Sequence, residues 1–561
     1  MGSIGATPGR VRIARVLVLL AALAVNAPLL AAGPVYDDHA LVERNPLAHA
    51  PIRWRAIFTS GYWAGTGIRQ GNEYRPLTVL SFAALDPLGL PAQRFANALL
   101  HGAVAVLVGE LAVLLLGLES ARLVAGLVFA LHPVHADVLG TLVGRGELLA
   151  AALGLAAWWA HLTDRPRVAA AAVCAAFLAK EGAVVIPALM LLGDLVRGDG
   201  RPRVRAWLEA TLGLVVGMAI RLAVMGGLLA VEPIGVSDNP LVGVSPTFRV
   251  LSSLASFGTA ARLVLLPVVL LPDRSSTVAL VRAFTTDLRW VPGLAVLVVT
   301  ALAVGVALRG TRAARPWALA LGTFVLAYLP VSNLLFPVGT ALAERLLYVP
   351  SIGVCFALAE LAARLDGRRR AVAGGALTAV LAVGAVSAVW PYRSELALWR
   401  RMVELAPGNP KARLNLIAAF TTAERFDDAE RAARDAIALA PGRAEFHHAL
   451  ALTLAKRGAG PAALLEAAEA VRLEPRDQAM LLTFAGLLYD LGRESEAEPV
   501  YRGVASAFPD DGEPWWYLSR IAERRGDRGA ALAAMREAAA RYASDPEWSA
   551  AARREVTRLG G

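Results

Sequence analysis

The sequence predicts an all-α protein in two parts. A polytopic bundle of about eleven transmembrane helices occupies residues 1–392, and a solenoid of paired helices occupies 393–561. Three observations lead there. The mean hydropathy of +0.52 over 561 residues is too high for a soluble globular chain. Apolar stretches approaching the ~20 residues needed to span a bilayer recur through the first part. In the second part Pro407, Pro441, Pro475 and Pro509 recur every 34 residues.

The apolar stretches are 14–32, 95–117, 122–133, 138–161, 168–180, 183–197, 206–231, 291–308, 316–336, 346–363 and 371–390. A further stretch, 249–272, contains Ser252, Ser253, Ser256 and Arg262 and reads as interfacial or re-entrant. Basic loops orient the bundle. They are Arg10/Arg12/Arg15, Arg122, Arg165/Arg167, Arg197 to Arg205, Arg309/Arg312/Arg315, and Arg364 with Arg368/Arg369/Arg370. With eleven spans they share one side, the cytoplasm. A twelfth crossing at 249–272 would put the last two clusters outside. The N-terminus is then cytoplasmic, the C-terminal part is extracytoplasmic, and the first outer loop runs over about 33–94. The first apolar run also has the basic start and small-residue end of a cleavable leader, but the polytopic chain after it favours a retained span.

The charge of +10 belongs to the membrane part. From Arg393 onward there are 24 basic and 25 acidic residues, leaving 32 and 21 of the 56 and 46 for what precedes. No basic stripe on a soluble face points to nucleic acid. Cys174 and Cys355, both in apolar runs, exclude a disulfide framework or a paired-cysteine metal site. No Gly-rich loop ends in Lys-Ser/Thr, which excludes a P-loop.

The 34-residue period is the tetratricopeptide (TPR) signature. Gly458, Gly492 and Gly526 keep it, as do Ala429, Ala463, Ala497 and Ala531, where a small side chain lets paired helices approach. Phe420, Phe484, Trp515 and Leu518 fill the core between them. About four units span 410–545, led by a half unit from Arg393 to Ala406. Such stacks offer a concave surface to extended peptides or partner proteins; a spacer or a dimerisation surface is the plainer reading.

Polar residues gather at the outer ends of the spans. Asp37 and Asp38 follow the first span, and Tyr74-Arg75-Pro76-Leu77-Thr78 lies in the first outer loop. His132 and His135 cap the third span, Glu147 lies just inside the fourth, Lys180 and Glu181 separate the fifth and sixth, and Glu344-Arg345 opens the tenth. Each has a bland alternative: a solvated turn for the paired acids, hydrogen-bonded structural histidines, local ion pairs for the rest. Ionisable groups at membrane depth are costly, however, and convergence of six segments on one level marks a site. Two histidines without a third ligand assign no metal. A carboxylate with cations suits sugar transfer from a polyprenyl phosphate. The acceptor hydroxyl must lose a proton as it attacks the anomeric carbon, and the phosphate leaving group needs charge stabilisation, which Arg supplies.

Tyr36-Asp37-Asp38, Tyr74 to Thr78, Asn97 to His101, Ala130-Leu131-His132-Pro133-Val134-His135, Gly144-Arg145-Gly146-Glu147-Leu148-Leu149, Lys180-Glu181-Gly182 and Ala343-Glu344-Arg345-Leu346-Leu347-Tyr348-Val349-Pro350-Ser351 follow in order. With TPR units after the last span, the ordered set resembles the transmembrane and TPR-repeat-containing protein O-mannosyltransferases, of the C-type glycosyltransferase fold. The resemblance implies a dolichyl- or polyprenyl-phosphate mannose donor and a Ser or Thr acceptor on a secreted protein. It maps the catalytic acid to Asp37 or Asp38 and the carrier phosphate to Arg345. The repeat array is shorter than in better-known members, which opens the identity of the acceptor. The Arg- and Ala-rich composition suggests a bacterial chain, with undecaprenyl phosphate as carrier and a sugar that need not be mannose.

The expectation is therefore a lipid-phosphate-sugar-dependent glycosyltransferase of the plasma (inner) membrane, with no cofactor. Asp37 or Asp38 is the base, and Arg345 holds the phosphate with Arg75 or Lys180. His132, His135, Glu147 and Glu344 shape the donor pocket, and the TPR array receives the acceptor polypeptide. Two rivals are a membrane-anchored TPR scaffold for envelope assembly, for which one span would suffice, and a glycan ligase or transporter, for which broken helices at the midplane would be the sign.

Overall fold

A computed structural model describes residues 7–66, 72–197, 203–227, 234–236, 238–278, 280–542 and 546–561. Part of the 33–94 loop, the tip of the Arg197–Arg205 cluster with Arg201, the end of the 206–231 stretch and the last residues of the 410–545 array lie outside the described residues. The described residues form helices and turns, with one isolated antiparallel bridge between Asp273 and Ala343. The chain divides into two compact units, Met1–Arg401 and Met402–Gly561.

The first unit contains α1 (Pro8–Asn26), the short α2 (Trp54–Thr59), α3 (Pro76–Leu85), α4 (Gly89–Leu116), α5 (Ala121–Ala130), α6 (Ala136–Gly140), α7 (Arg145–Leu162), α8 (Pro166–Ala179), α9 (Ile186–Arg197), α10 (Val204–Met225), α11 (Pro246–Leu265), α12 (Val291–Leu308), α13 (Arg315–Tyr328), α14 (Ile352–Ala363), α15 (Gly367–Val389) and the start of α16 (Glu395–Leu405). Proline stands at the start of α1, α3, α8 and α11, where its missing N–H costs nothing. Among the described residues seven helices are long and apolar enough to cross a membrane, or eight if the bent pair Ala121–Ala130 and Pro133–Gly140 is one span. This makes the chain a multi-pass membrane protein. The reading of eleven spans also counts shorter segments such as Pro166–Ala179 and Ile352–Ala363.

Interior polar contacts define two ends of the bundle. At one, Glu110 of α4 accepts from Arg15 of α1 (3.0 Å) and Arg122 of α5 (2.8 Å). Asp194 of α9 accepts from His161 of α7 (2.9 Å) and Arg203 before α10 (3.1 Å). Arg315 donates to the Arg197 carbonyl (2.8 Å), and Arg364 lies over Trp317. The other end carries Asp38, Arg145, Glu181 and Arg345. Close approach along the helices needs small residues. A Cβ at Gly213 of α10 would stand 2.1 Å from the Ala170 carbonyl of α8.

Two elements depart from the sequence reading. The 138–161 stretch is broken: α6 ends at Gly140, the chain turns, and α7 starts at Arg145. The cause is Asp38, whose carboxylate takes the N–H groups of Leu142 and Val143, both at 2.9 Å, which a continuous helix would have used internally. The 249–272 stretch folds as the 20-residue helix α11, ending seven residues early at Leu265. By length and composition α11 could cross, and its polar contacts run to the Asn333 turn and to His132. Before it Asn239 bonds Asn333 (2.8 Å). In it Ser253 donates to the Asn333 carbonyl (3.1 Å), and the Val264 carbonyl accepts from His132 (2.9 Å). Phe257 packs on Phe324 and Tyr328 near the end of α13.

In the second unit, four helix pairs follow one another: α17 (Pro410–Thr422) with α18 (Phe426–Leu439), α19 (Ala444–Lys456) with α20 (Gly460–Leu473), α21 (Gln478–Asp490) with α22 (Glu494–Ala507), and α23 (Glu513–Arg524) with α24 (Arg528–Arg541). The final helix, α25 (Pro546–Arg558), packs on α24. Ala429, Ala463, Ala497 and Ala531 are fully buried, as helix apposition requires. Gly458, Gly492 and Gly526 end the first helix of their pairs with φ of +85°, +73° and +79°. The equivalent position in the first pair is Glu424, at φ +56°. Left-handed backbone costs a non-glycine residue roughly 1 kcal/mol or more. Glu424→Gly is therefore expected to stabilise this unit by about 0.5–1 kcal/mol, read as slower hydrogen exchange of its amides in the full chain.

Candidate functional site

Asp38 is fully buried and anchors the site end. It accepts N–H bonds from Val35 (3.2 Å), Leu142 and Val143 (both 2.9 Å), and Arg94 lies 3.6 Å away. Arg94 also donates to the carbonyls of Gly33 (2.5 Å) and Gly140 (2.7 Å), joining the end of the first apolar run to the start of α4 and the end of α6. Both of its oxygens are thus engaged by backbone N–H groups.

Asp37 is half-buried, and its charge bears on Arg345 and on the hydroxyl of Tyr62. Tyr62 is buried, with the Arg75 guanidinium 4.8 Å from its ring centre. Arg345 keeps a third of its side chain exposed and pairs with Asp137 at 3.6 Å. Its own N–H points at the same carboxylate (3.3 Å), and the Tyr392 hydroxyl donates to the other Asp137 oxygen (3.4 Å). Tyr392 lies flat against Gly140, where a Cβ would sit 2.1 Å from its ring. The structure thus brings together Asp37, Asp38, Arg75 and Arg345, and adds Arg94, Tyr62, Asp137 and Tyr392. The sequence signal for Asp137 and Arg94 was a charged residue beside an apolar run, Asp137 two residues after His135 and Arg94 directly before the 95–117 stretch; Tyr62 and Tyr392 carried no charge to mark them.

Other expected site residues have protein partners. Arg75 meets Glu181 (2.9 Å), which also takes Arg221 of α10 (2.8 Å) and the Tyr74 N–H (3.1 Å). Burial pushes the Glu181 carboxyl up, but Arg75 and Arg221 outweigh it and hold the group below its usual range. Lys180 pairs with Glu147 in a short contact. Arg145, fully buried, donates to Asn97 (2.7 Å) and the Gln93 carbonyl (2.6 Å).

Three residues expected to shape the donor pocket, His132, His135 and Glu344, are buried and bonded within the protein. His132 bonds the Val264 carbonyl with one ring nitrogen and takes the Val134 N–H (3.2 Å) with the other, so neither is left for a donor. His135 is fully buried against His101, Phe129 and Tyr348 and bonds Ser351 (2.9 Å). Among the described residues no group of three His, Cys, Asp or Glu is placed to hold a metal ion. Glu344 is buried, with one oxygen accepting from the Leu271 N–H (2.6 Å) and twice from Arg274 (2.9 and 3.0 Å). It ties the 269–274 strap to the Arg345 turn.

Burial pushes the Glu344 carboxyl up to about 8, against the pull of Arg274 and the Leu271 N–H. The folded state then holds a proton that the unfolded chain releases near the ordinary value of 4.5. Stability falls as pH rises between those two values. Glu344→Gln is expected to flatten this part of a melting-temperature profile recorded from pH 5 to 8.

A multi-pass helical bundle with an aspartate–arginine site at one end, continued by TPR units, is the class that fold and site define. Within it, the chain is a relative of proteins named protein O-mannosyl-transferases. It is 26% identical over 552 residues to TMTC3 of Mus musculus, covering 87% of this chain and 59% of that protein. It is 27% identical over 588 residues to Tmtc3 of Drosophila melanogaster, covering 87% and 58%. It is 26% identical over 455 residues to F38B6.6 of Caenorhabditis elegans, covering 77% and 64%. The chain thus spans about three fifths of the length of these three relatives. No family model matches it. Among solved structures, YrrB, described as a TPR protein with an unusual peptide-binding site, aligns at 19% identity over 28% of this chain and 81% of its own, with a TM-score of 0.25.

Proposed function

We propose that this chain is an integral-membrane glycosyltransferase that moves a sugar, mannose in the first instance, from a polyprenyl-phosphate carrier to Ser or Thr hydroxyls of secreted proteins. The observation that carries the reading is a partly accessible Asp37 whose charge reaches Arg345, itself paired with Asp137, at one end of a membrane bundle, in a relative of proteins so named. Asp37 takes the proton of the attacking hydroxyl. Arg345, oriented by Asp137, receives the carrier phosphate as its bond to the anomeric carbon breaks. Arg75 and Lys180, each already paired with a glutamate, line the approach and add positive charge. Asp38 and Arg94 hold the loop that carries Asp37.

The site end faces outward in this reading, because the arginine-rich end belongs to the cytoplasm. The membrane is then the plasma membrane, and the TPR array, on the outer side, receives the acceptor polypeptide. The test is transfer by purified protein in detergent, with radiolabelled polyprenyl-phosphate mannose and an extract of secreted proteins. Label on protein is the expected result. Absence of label with every polyprenyl-phosphate sugar tried would overturn the reading in favour of a membrane-anchored scaffold.

A further inference from the structure

The chain leaves the last apolar helix through Trp390–Arg393 and enters α16, whose Glu395 and Trp399 belong to the membrane unit. Glu395 reaches back to the loop at the other end of the sequence. Its Oε2 accepts the Tyr36 N–H at 2.9 Å and lies 3.4 Å from His39 Nε2. Its Oε1 accepts Trp399 Nε1–H at 2.5 Å, and the Trp399 ring meets the Tyr36 ring edge-on at 5.4 Å. Tyr36 has φ +56°, a left-handed conformation that an aromatic residue adopts only under constraint. It immediately precedes Asp37. Such strain persists only where surrounding contacts over-determine it, and it collects where geometry serves function.

The two neighbours of Asp37 are therefore held from different directions. Asp38 is fixed by the turn between α6 and α7, and Tyr36 by α16. Released by Glu395, Tyr36 relaxes toward φ below zero, and the Cα–Cβ vector of the next residue swings with it. We propose that Glu395 is a positioning residue that aims the Asp37 carboxylate by holding Tyr36 in its left-handed conformation. The consequence for transfer rests on the reading of Asp37 as the base. Displacement of a catalytic group by about 1 Å costs on the order of 10²-fold in rate, so the effect falls on kcat more than on KM.

The test uses the full chain with Glu395→Ala and Glu395→Gln. Both Glu395 oxygens accept N–H bonds, and a glutamine offers one acceptor, so Gln is the milder change. Hydrogen exchange of the peptide covering 33–44 is expected to rise in the order wild type, Gln, Ala, with the rest of the bundle unchanged. The kcat for transfer is expected to fall in the same order, by roughly 10²-fold in Ala, with donor KM within about two-fold. Glu395→Gln combined with Trp399→Phe should recover activity over Glu395→Gln alone, because the competing donor is gone. Unchanged exchange at 33–44 in Glu395→Ala overturns the proposal, and so does faster exchange with unchanged kcat. A wild type that transfers no sugar overturns the transferase reading, while the exchange result still decides whether Glu395 holds the loop.

Discussion

Asp37→Asn is expected to leave a folded protein that transfers sugar roughly 10²–10⁴-fold more slowly, the range a positioned general base supplies. Asp38→Asn is expected to fail differently. Its carboxylate is buried, beside Arg94, and accepts three backbone N–H bonds. An asparagine would turn an amide N–H toward one of those donors and leave Arg94 buried beside a neutral group. Breaking a buried pair in this way costs about 3–5 kcal/mol, a large part of the stability of a single domain. The measurement is a thermal melt in detergent beside the transfer assay. Normal melting with lost activity is expected for Asp37→Asn, and early melting or low yield for Asp38→Asn. Full transfer by Asp37→Asn would remove it as the base.

The second large effect is expected at Arg345. Its guanidinium presents a planar fork to a phosphate, which an ammonium cannot reproduce. Arg345→Lys should keep the charge and the pairing with Asp137 yet lower kcat/KM, and Arg345→Ala should lower it by roughly 10²–10³-fold, as loss of one charge-stabilising donor does elsewhere. Asp137→Asn tests the arrangement from behind. It removes the charge 3.6 Å from Arg345 and weakens the Tyr392 contact, so a smaller loss of the same kind is expected, seen chiefly in donor KM. Wild-type kinetics in Arg345→Ala would dissociate Arg345 from the phosphate.

The positions of Asp37 and Asp38 after an apolar run, and of Arg345 before one, were legible in the sequence because charged residues beside apolar stretches are conspicuous. Their division of labour was not. Adjacent aspartates are chemically alike, and only the fold decides that Leu142 and Val143, more than a hundred residues away, offer their N–H groups to one of them. The partners of the histidines were illegible for a related reason: a His-x-x-His spacing does not say whether the ring nitrogens meet backbone or ligand, and His132 meets Val264 and Val134. Glu395 sits in a region that reads as the lead-in to the repeats, and its bond to Tyr36 joins residues 359 apart.

What the sequence determined alone was whatever is periodic or cumulative. Apolar length marked a chain that crosses the membrane many times, the 34-residue period marked paired helices, and the buried alanines of each pair followed from the same register. These depend on local regularity, which a single chain carries in its order of residues. The tertiary structure decided what depends on distant partners: the break between α6 and α7, the contacts of α11 with His132 and Asn333, and which of the two aspartates is buried among backbone N–H groups. Each turns on where a backbone N–H or a buried charge finds its partner, and a buried polar group must find one wherever in the chain it lies.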